Sequence, residues 1–114
     1  MTHEMNLHDG PYDMIASGRK KYELRLYDEK RRDIKIGDEI LFTRSRGGED
    51  FMRVRVLGLH LFDSFTELYA AMPLLECGYT EENVADASPS DMDIYYSKER
   101  QSMCGVVAIE IELV

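Results

Sequence analysis

Cysteine is scarce in this 114-residue chain. Cys77 and Cys104 are too few for a disulfide framework and show no Cys-x-x-Cys spacing. No apolar run reaches the roughly 18 residues of a membrane span. The first residues also lack the basic-then-apolar order of a signal peptide. These absences lead to the expectation of a reduced, cytoplasmic protein with no membrane partner. Repeats, linkers and low-complexity tracts are missing too, so one domain over residues 1–114 is expected. The most uneven absence concerns charge. Residues 56–97 contain no Lys or Arg, yet they carry eight acids between Asp63 and Asp93. Residues 19–55 hold 12 basic and 8 acidic groups, a local surplus of +4 inside a chain of net charge −8. Such an acidic total disfavours nonspecific nucleic-acid binding over the whole surface, which needs many phosphate-neutralising cations. A small, focused site is compatible with it.

What is present reads as an α+β pattern. Residues 3–8 suggest a short strand. Asp9-Gly10-Pro11 suggests a helix start with Asp9 as cap, Tyr12 and Ile15 on one face, and Gly18 as the stop. From Lys20 to Tyr27 the pattern alternates, with Tyr22, Leu24 and Leu26 facing inward and Lys21, Glu23, Arg25 and Tyr27 on a charged face. Residues 28–35 read as a polar connection, Gly37-Asp38 as a turn before a strand from Glu39 to Thr43, and Ser45–Asp50 as a hairpin loop. A strand is expected over 51–61, its apolar parity switching at Gly58 from Met52, Val54 and Val56 to Leu57, Leu59 and Leu61, which suggests a bulge or a strand leaving one environment for another. Ser64-Phe65-Thr66-Glu67 has the form of a capping box. Short helices are expected at Thr80–Ala87 and from Ser88, with a closing strand from Gly105 to Leu113.

The segment Gly18-Arg19-Lys20-Lys21-Tyr22-Glu23-Leu24-Arg25 concentrates chemistry at one strand entry. Glu23 and Arg25 share a face; Lys20 joins them only if the chain bends at the start of the strand. A Glu beside a Lys suits general acid–base or nucleophilic work, and an Arg suits bidentate capture of phosphate or carboxylate. The bland reading is an exposed charge ladder, worth about 0–1 kcal/mol per pair. On the residues alone that reading is favoured.

The combination Gly18-x-Lys20-x-x-Glu23-x-Arg25, then Gly37-Asp38, the helix near Phe65–Met72 and Tyr95-Tyr96 before a closing strand, resembles the ASCH domain family over nearly the whole chain. The resemblance implies a PUA-like small β-barrel of about five strands with flanking helices, and a basic cleft under the first helix that meets RNA or a nucleotide. Expected ligand-binding residues are Lys20, Lys21, Glu23, Arg25, Arg53 and Arg55. Some bacterial ASCH proteins that this chain resembles are amidohydrolases that remove the acetyl group from acetylated cytidine. Their pattern implies catalytic roles for Lys20, Glu23 and a later Glu, of which Glu76 is the nearest by position while Glu67, Glu81 and Glu82 compete; Glu23 stands where those enzymes carry a Thr. Ribonuclease activity is also attributed to family members.

Other candidates have plainer readings. His60 among Leu59, Leu61 and Phe62 reads as a satisfied core histidine. His3 beside a free amino terminus offers the nitrogen donors of a square-planar Cu(II) or Ni(II) site, but only with a frayed start. No metal or cofactor is expected. Tyr27, Tyr95 and Tyr96 are candidate stacking platforms for a base.

Overall fold

A computed structural model describes residues 1–44 and 50–114. Five strands form one sheet in the order β1-β3-β4-β5-β2, with β1 Thr2–Leu7, β2 Tyr22–Leu26, β3 Glu39–Arg44, β4 Phe51–Phe62 and β5 Val106–Leu113. Only β1 and β3 run parallel; the other neighbours are antiparallel. The helices are α1 Asp9–Ala16, α2 Glu29–Arg32, α3 Phe65–Ala71 and α4 Lys98–Cys104. The expected small barrel thus takes the form of a five-stranded, curled half-barrel with flanking helices. Its two edges do not pair through backbone. Arg25 on β2 reaches across the opening instead, its Nη2 donating to the Asn6 carbonyl on β1 at 3.0 Å.

The sheet is buried on both faces, and β5 shows why. Val107, Ile109 and Ile111 point into the curl, where they meet Tyr12 and Ile15 of α1 together with Ile40, Phe42, Val54 and Val56. Val106 and Ala108 point outward against Phe65 and Leu68 of α3, with Leu24 and Leu26 beside them. A central strand with helices on both sides has no polar face to offer, so its buried run is continuous at Val106–Ile109.

Several local expectations need correction. His8, not Asp9, occupies the cap position of α1, and its side chain makes no cap hydrogen bond. The polar connection at 28–35 contains α2, because the Asp28 carboxylate caps the Arg31 amide at 3.1 Å and Ile34 anchors the loop in the core. Ser64 does accept from the Glu67 amide, but the Glu67 carboxylate turns to the Asp63 amide instead of completing a box. The helix expected at Thr80–Ala87 reduces to a 3-10 turn at Val84–Asp86; Asn83 Oδ1 takes the Thr80 amide, a local alternative to helix bonding. The segment after Ser88 is a 3-10 run, Pro89–Ile94, with a full capping box. The helix α4 was not anticipated. In β4 the register does shift between Val56 and Gly58. However, only Leu59 packs on the core; Leu57 and Leu61 are exposed, since β3 no longer flanks that end of β4. The expected hairpin loop falls mainly on residues 45–49, outside the described residues.

The core makes a direct stability prediction. Ile109→Ala removes a fully buried side chain from the interior strand β5 and is expected to cost about 2–5 kcal/mol. Ile94→Ala, at an 81% exposed position, is expected to stay within about 0.5 kcal/mol of the parent. Urea unfolding checks both; equal midpoints for the two variants would contradict this description of the core.

Candidate functional site

The motif strand carries its charges inward. Glu23 pairs in register with Ile109 and Arg25 with Val107, so both side chains lie on the inner face of the half-barrel. The expected solvated charge face is therefore a buried one, because the curl of the sheet and α1 cover it. Glu23 is 3% exposed and receives two cations: Lys20 Nζ on Oε1 at 2.8 Å and Arg25 Nε on Oε2 at 2.7 Å. Lys20 reaches Glu23 because the chain bends before β2 begins at Tyr22. Gly18, at φ +83°, ends α1, and the Lys21 amide donates to the Glu76 carbonyl at 2.7 Å. Gly78, at φ +118°, lies against the Lys20 stem, where an added Cβ would stand 3.6 Å from Lys20 Cδ.

Burial alone would push the Glu23 carboxyl up, but the charges of Lys20 and Arg25 and their hydrogen bonds more than reverse this and lower it. For Arg25, burial opposes the charge, while Glu23 and then Tyr96 hold the guanidinium firmly charged. Tyr96 stacks on Phe65, with centroids 6.1 Å apart, and burial raises its phenol. The ion triad thus ties the bend at Lys20 to the strand and, through Arg25, to the edge of β1.

A cleft of about 460 Å³ opens where β2 begins and β5 runs on past it. Ile15 and Gly18 at the end of α1, the bend at Lys20 and Lys21, Tyr22, and Glu76 form one side; Leu57 and Glu110–Leu113 form the other. Its charged lining is two cations, Lys20 and Lys21, and three carboxylates, Glu76, Glu110 and Glu112. Lys21 Nζ lies 3.7 Å from Glu76 Oε1, and both side chains are substantially exposed. Burial, then the nearby Glu110 and Glu76 carboxylates, raise the Tyr22 phenol, which stays a neutral hydrogen-bond donor at neutral pH. Tyr22 is half-buried, packed against the cluster of Leu24, Leu26 and Phe65 and lining the cleft as well.

Of the residues singled out from sequence, the structure brings Lys20, Lys21 and Glu76 to this cleft. Glu23 and Arg25 stand behind it as support. Arg53 and Arg55 do not line it, although Arg55 stands opposite Glu112 of β5; both are committed to Glu39 at 2.9 and 3.5 Å. Much of the basic surplus is neutralised locally in the same way: Arg31 pairs with Asp28, and Arg44 with Asp9, Asp13 and Asp50. Tyr27 holds the Arg32 guanidinium over its ring at 4.6 Å, and Tyr95 is exposed away from the cleft lining. His60 is not a core histidine. Its side chain is 42% exposed and its Nε2 meets Glu110 Oε1 at 3.0 Å. His3 lies within β1, bonded to Asp38 Oδ2 at 2.8 Å; this hydrogen bond, together with the Lys35 amide, holds the Asp38 carboxyl down at about 2. That strand pairing removes the frayed start a terminal copper site requires, and no metal-binding cluster is found among the described residues. Cys77 is buried, which pushes its thiol up to about 11. The carboxylates Glu110 and Glu112 were missed; their alternation on the closing strand put them on the outer face beside Tyr22, a signal that only the strand pairing makes readable.

This half-barrel with a cleft at the mouth beneath its first helix defines a PUA-like domain. The ASCH domain family model matches residues 5–114, and the chain belongs to that family. It is 37% identical to a protein of Pyrococcus furiosus solved by NMR, with TM-score 0.76, covering 100% of this chain and 98% of that one. A hypothetical protein known from a crystal structure is also 37% identical, with TM-score 0.82 and full coverage of both chains. An ASCH protein of Zymomonas mobilis shares the fold at 14% identity and TM-score 0.65, over 98% of this chain and 69% of that one. None of the curated proteins matches the sequence.

The buried triad gives a signed pH prediction. A carboxyl lowered on folding stabilises the fold above its ordinary value of 4.5, and that contribution is lost as pH falls through the folded value. Glu23→Gln leaves Lys20 and Arg25 unpaired and is expected to cost about 3–5 kcal/mol at neutral pH. The gap to the parent should stay constant down to about pH 5 and shrink below it. Urea unfolding of both proteins across pH measures this; a gap that widens in acid would contradict the assignment.

Proposed function

We propose that the cleft binds a nucleoside-sized ligand, with Lys20, Lys21 and Glu76 at one side and the Glu110 carboxylate at the other. The observation that carries this reading is the convergence of Lys20, Lys21, Tyr22 and Glu76 on one cleft of about 460 Å³, within the size range of small-molecule sites. The family resemblance, which implies an RNA or nucleotide ligand, supplies the ligand class. The charge around the cleft favours a base or nucleoside over a run of backbone phosphates. Two lysines face three carboxylates there, and Arg53 and Arg55 are held at Glu39. Binding through counterion release needs several unneutralised cations along a track.

Calorimetric titration with cytidine, adenosine and a short single-stranded RNA tests this. A nucleoside is expected to bind, the RNA to bind no more than about tenfold tighter, and the salt slope to correspond to about one phosphate contact or fewer. Lys21→Ala, which removes an exposed cation without disturbing the buried triad, is expected to weaken nucleoside binding by about tenfold. Strong RNA binding with a steep salt slope would overturn the preference for a nucleoside.

The second reading is hydrolysis of an acylated nucleoside, favoured by Lys20 and Glu76 bordering the same cleft. Glu23 is a poor general base in such a reaction, since both its oxygens are taken by cations. Lys20, paired at 2.8 Å with that carboxylate, acts as a charge that polarises an amide carbonyl. Glu76, 40% exposed, is then the carboxylate available to activate water. Acetylcytidine incubated with the purified protein should release acetate, and Glu76→Gln should reduce the rate by about 10²-fold or more. No acetate above the uncatalysed background would remove this reading.

A further inference from the structure

Glu23, an expected ligand-binding residue, has no free oxygen to accept from an exocyclic amine, since two ion pairs take both. Another carboxylate is placed to do so. Glu110 sits at the centre of a row across three strands, paired with Tyr22 on β2 and with Gly58 on β4. It lines the cleft. Its Oε1 meets His60 Nε2 at 3.0 Å, while its Oε2 has no hydrogen-bond partner among the described residues. The imidazole that donates to Oε1 is itself braced, its ring standing edge-on to Tyr22 with centroids 5.8 Å apart.

The backbone makes room for this arrangement. β4 changes register between Val56 and Gly58, and such a bulge re-aims the side chains that follow it. A Cβ at Gly58 would stand 3.1 Å from Glu110 Oε1 and 3.4 Å from His60 Nε2, so any larger residue crowds the pair. The bulge, the missing side chain and the Tyr22 brace all hold one carboxylate oxygen fixed and leave the other available.

We propose that Glu110, positioned by His60, is the specificity residue of the cleft and selects a base bearing an exocyclic amino group over the same base bearing a carbonyl. This inference rests on the nucleoside reading of the cleft. The chemistry is that of a carboxylate accepting from an amine, as on the amino group of cytosine. A carbonyl at the same position confronts Oε2 with another acceptor and leaves both groups unpaired. Glu110 is the selecting group, and His60 acts through it as a positioning residue.

The test is the ratio of affinities for cytidine and uridine, which exchange the 4-amino donor for a carbonyl and the N3 acceptor for an N–H donor, measured by calorimetry on the full chain and compared between the parent and Glu110→Gln. The parent is expected to favour cytidine by about tenfold or more. Glu110→Gln should bring the ratio within about threefold while uridine binding persists, and His60→Ala should lower it partway. Gly58→Ala should act like His60→Ala, which a residue serving only the fold would not do. Equal affinities in the parent, or a preference unchanged in Glu110→Gln, would overturn the assignment while leaving the cleft as a nucleoside site. Binding of neither nucleoside would overturn both.

Discussion

One carboxylate shared by two cations organises this molecule. Glu23 lies inside the curl of the sheet and is bonded to Lys20 and Arg25 at 2.8 and 2.7 Å. A lone buried carboxylate costs several kcal/mol, so its presence demands that both partners arrive in place. Lys20 arrives only because the chain leaves α1 through Gly18 and bends before the strand. Arg25 arrives with a spare nitrogen that bonds the Asn6 carbonyl at the far edge of the sheet. The same three residues thus set the entry of β2, fix the separation of the half-barrel's edges and present one cation to the cleft.

That arrangement separates support from contact. Lys20 belongs to both the triad and the cleft, whereas Glu23 and Arg25 are spent on each other and on the backbone. The groups left to meet a ligand are Lys21, Tyr22, Glu76 and the carboxylates of the closing strand. A site of mixed sign built from two lysines and three acids suits a polar, largely neutral ligand that both donates and accepts hydrogen bonds. It is poorly suited to a polyanion. The negative balance of the chain therefore reaches into the site instead of being excluded from it.

Much of the fold was legible because alternation and turn chemistry act locally. Gly18 and Gly37 sit at φ +83° and +94° where the sequence calls for stops, and the register change at Gly58 follows from the switch in apolar parity. The motif was legible as a cluster, but not the side of the sheet on which it lies. Alternation distinguishes two faces without saying which is covered, and here both are. His60 was misread for the same reason, since an apolar neighbourhood in sequence does not show that β3 stops short of it. Glu110 and Glu112 escaped notice because their importance comes from β2 pairing with β5, a contact between distant parts of the chain. The helices at 80–104 were hardest to read, where short capped turns compete with α-helix at nearly equal cost.

The most direct measurement is a map of backbone amide shifts by NMR as cytidine is added. The changes are expected to gather at residues 15–22, 76–78 and 110–113. Those near Arg44 and Phe51, at the far end of β3 and β4, should hold still. Shifts centred on Arg44 and Phe51, or around Tyr27 and Arg32 beyond the other end of β2, would place the ligand elsewhere and contradict the cleft as its site.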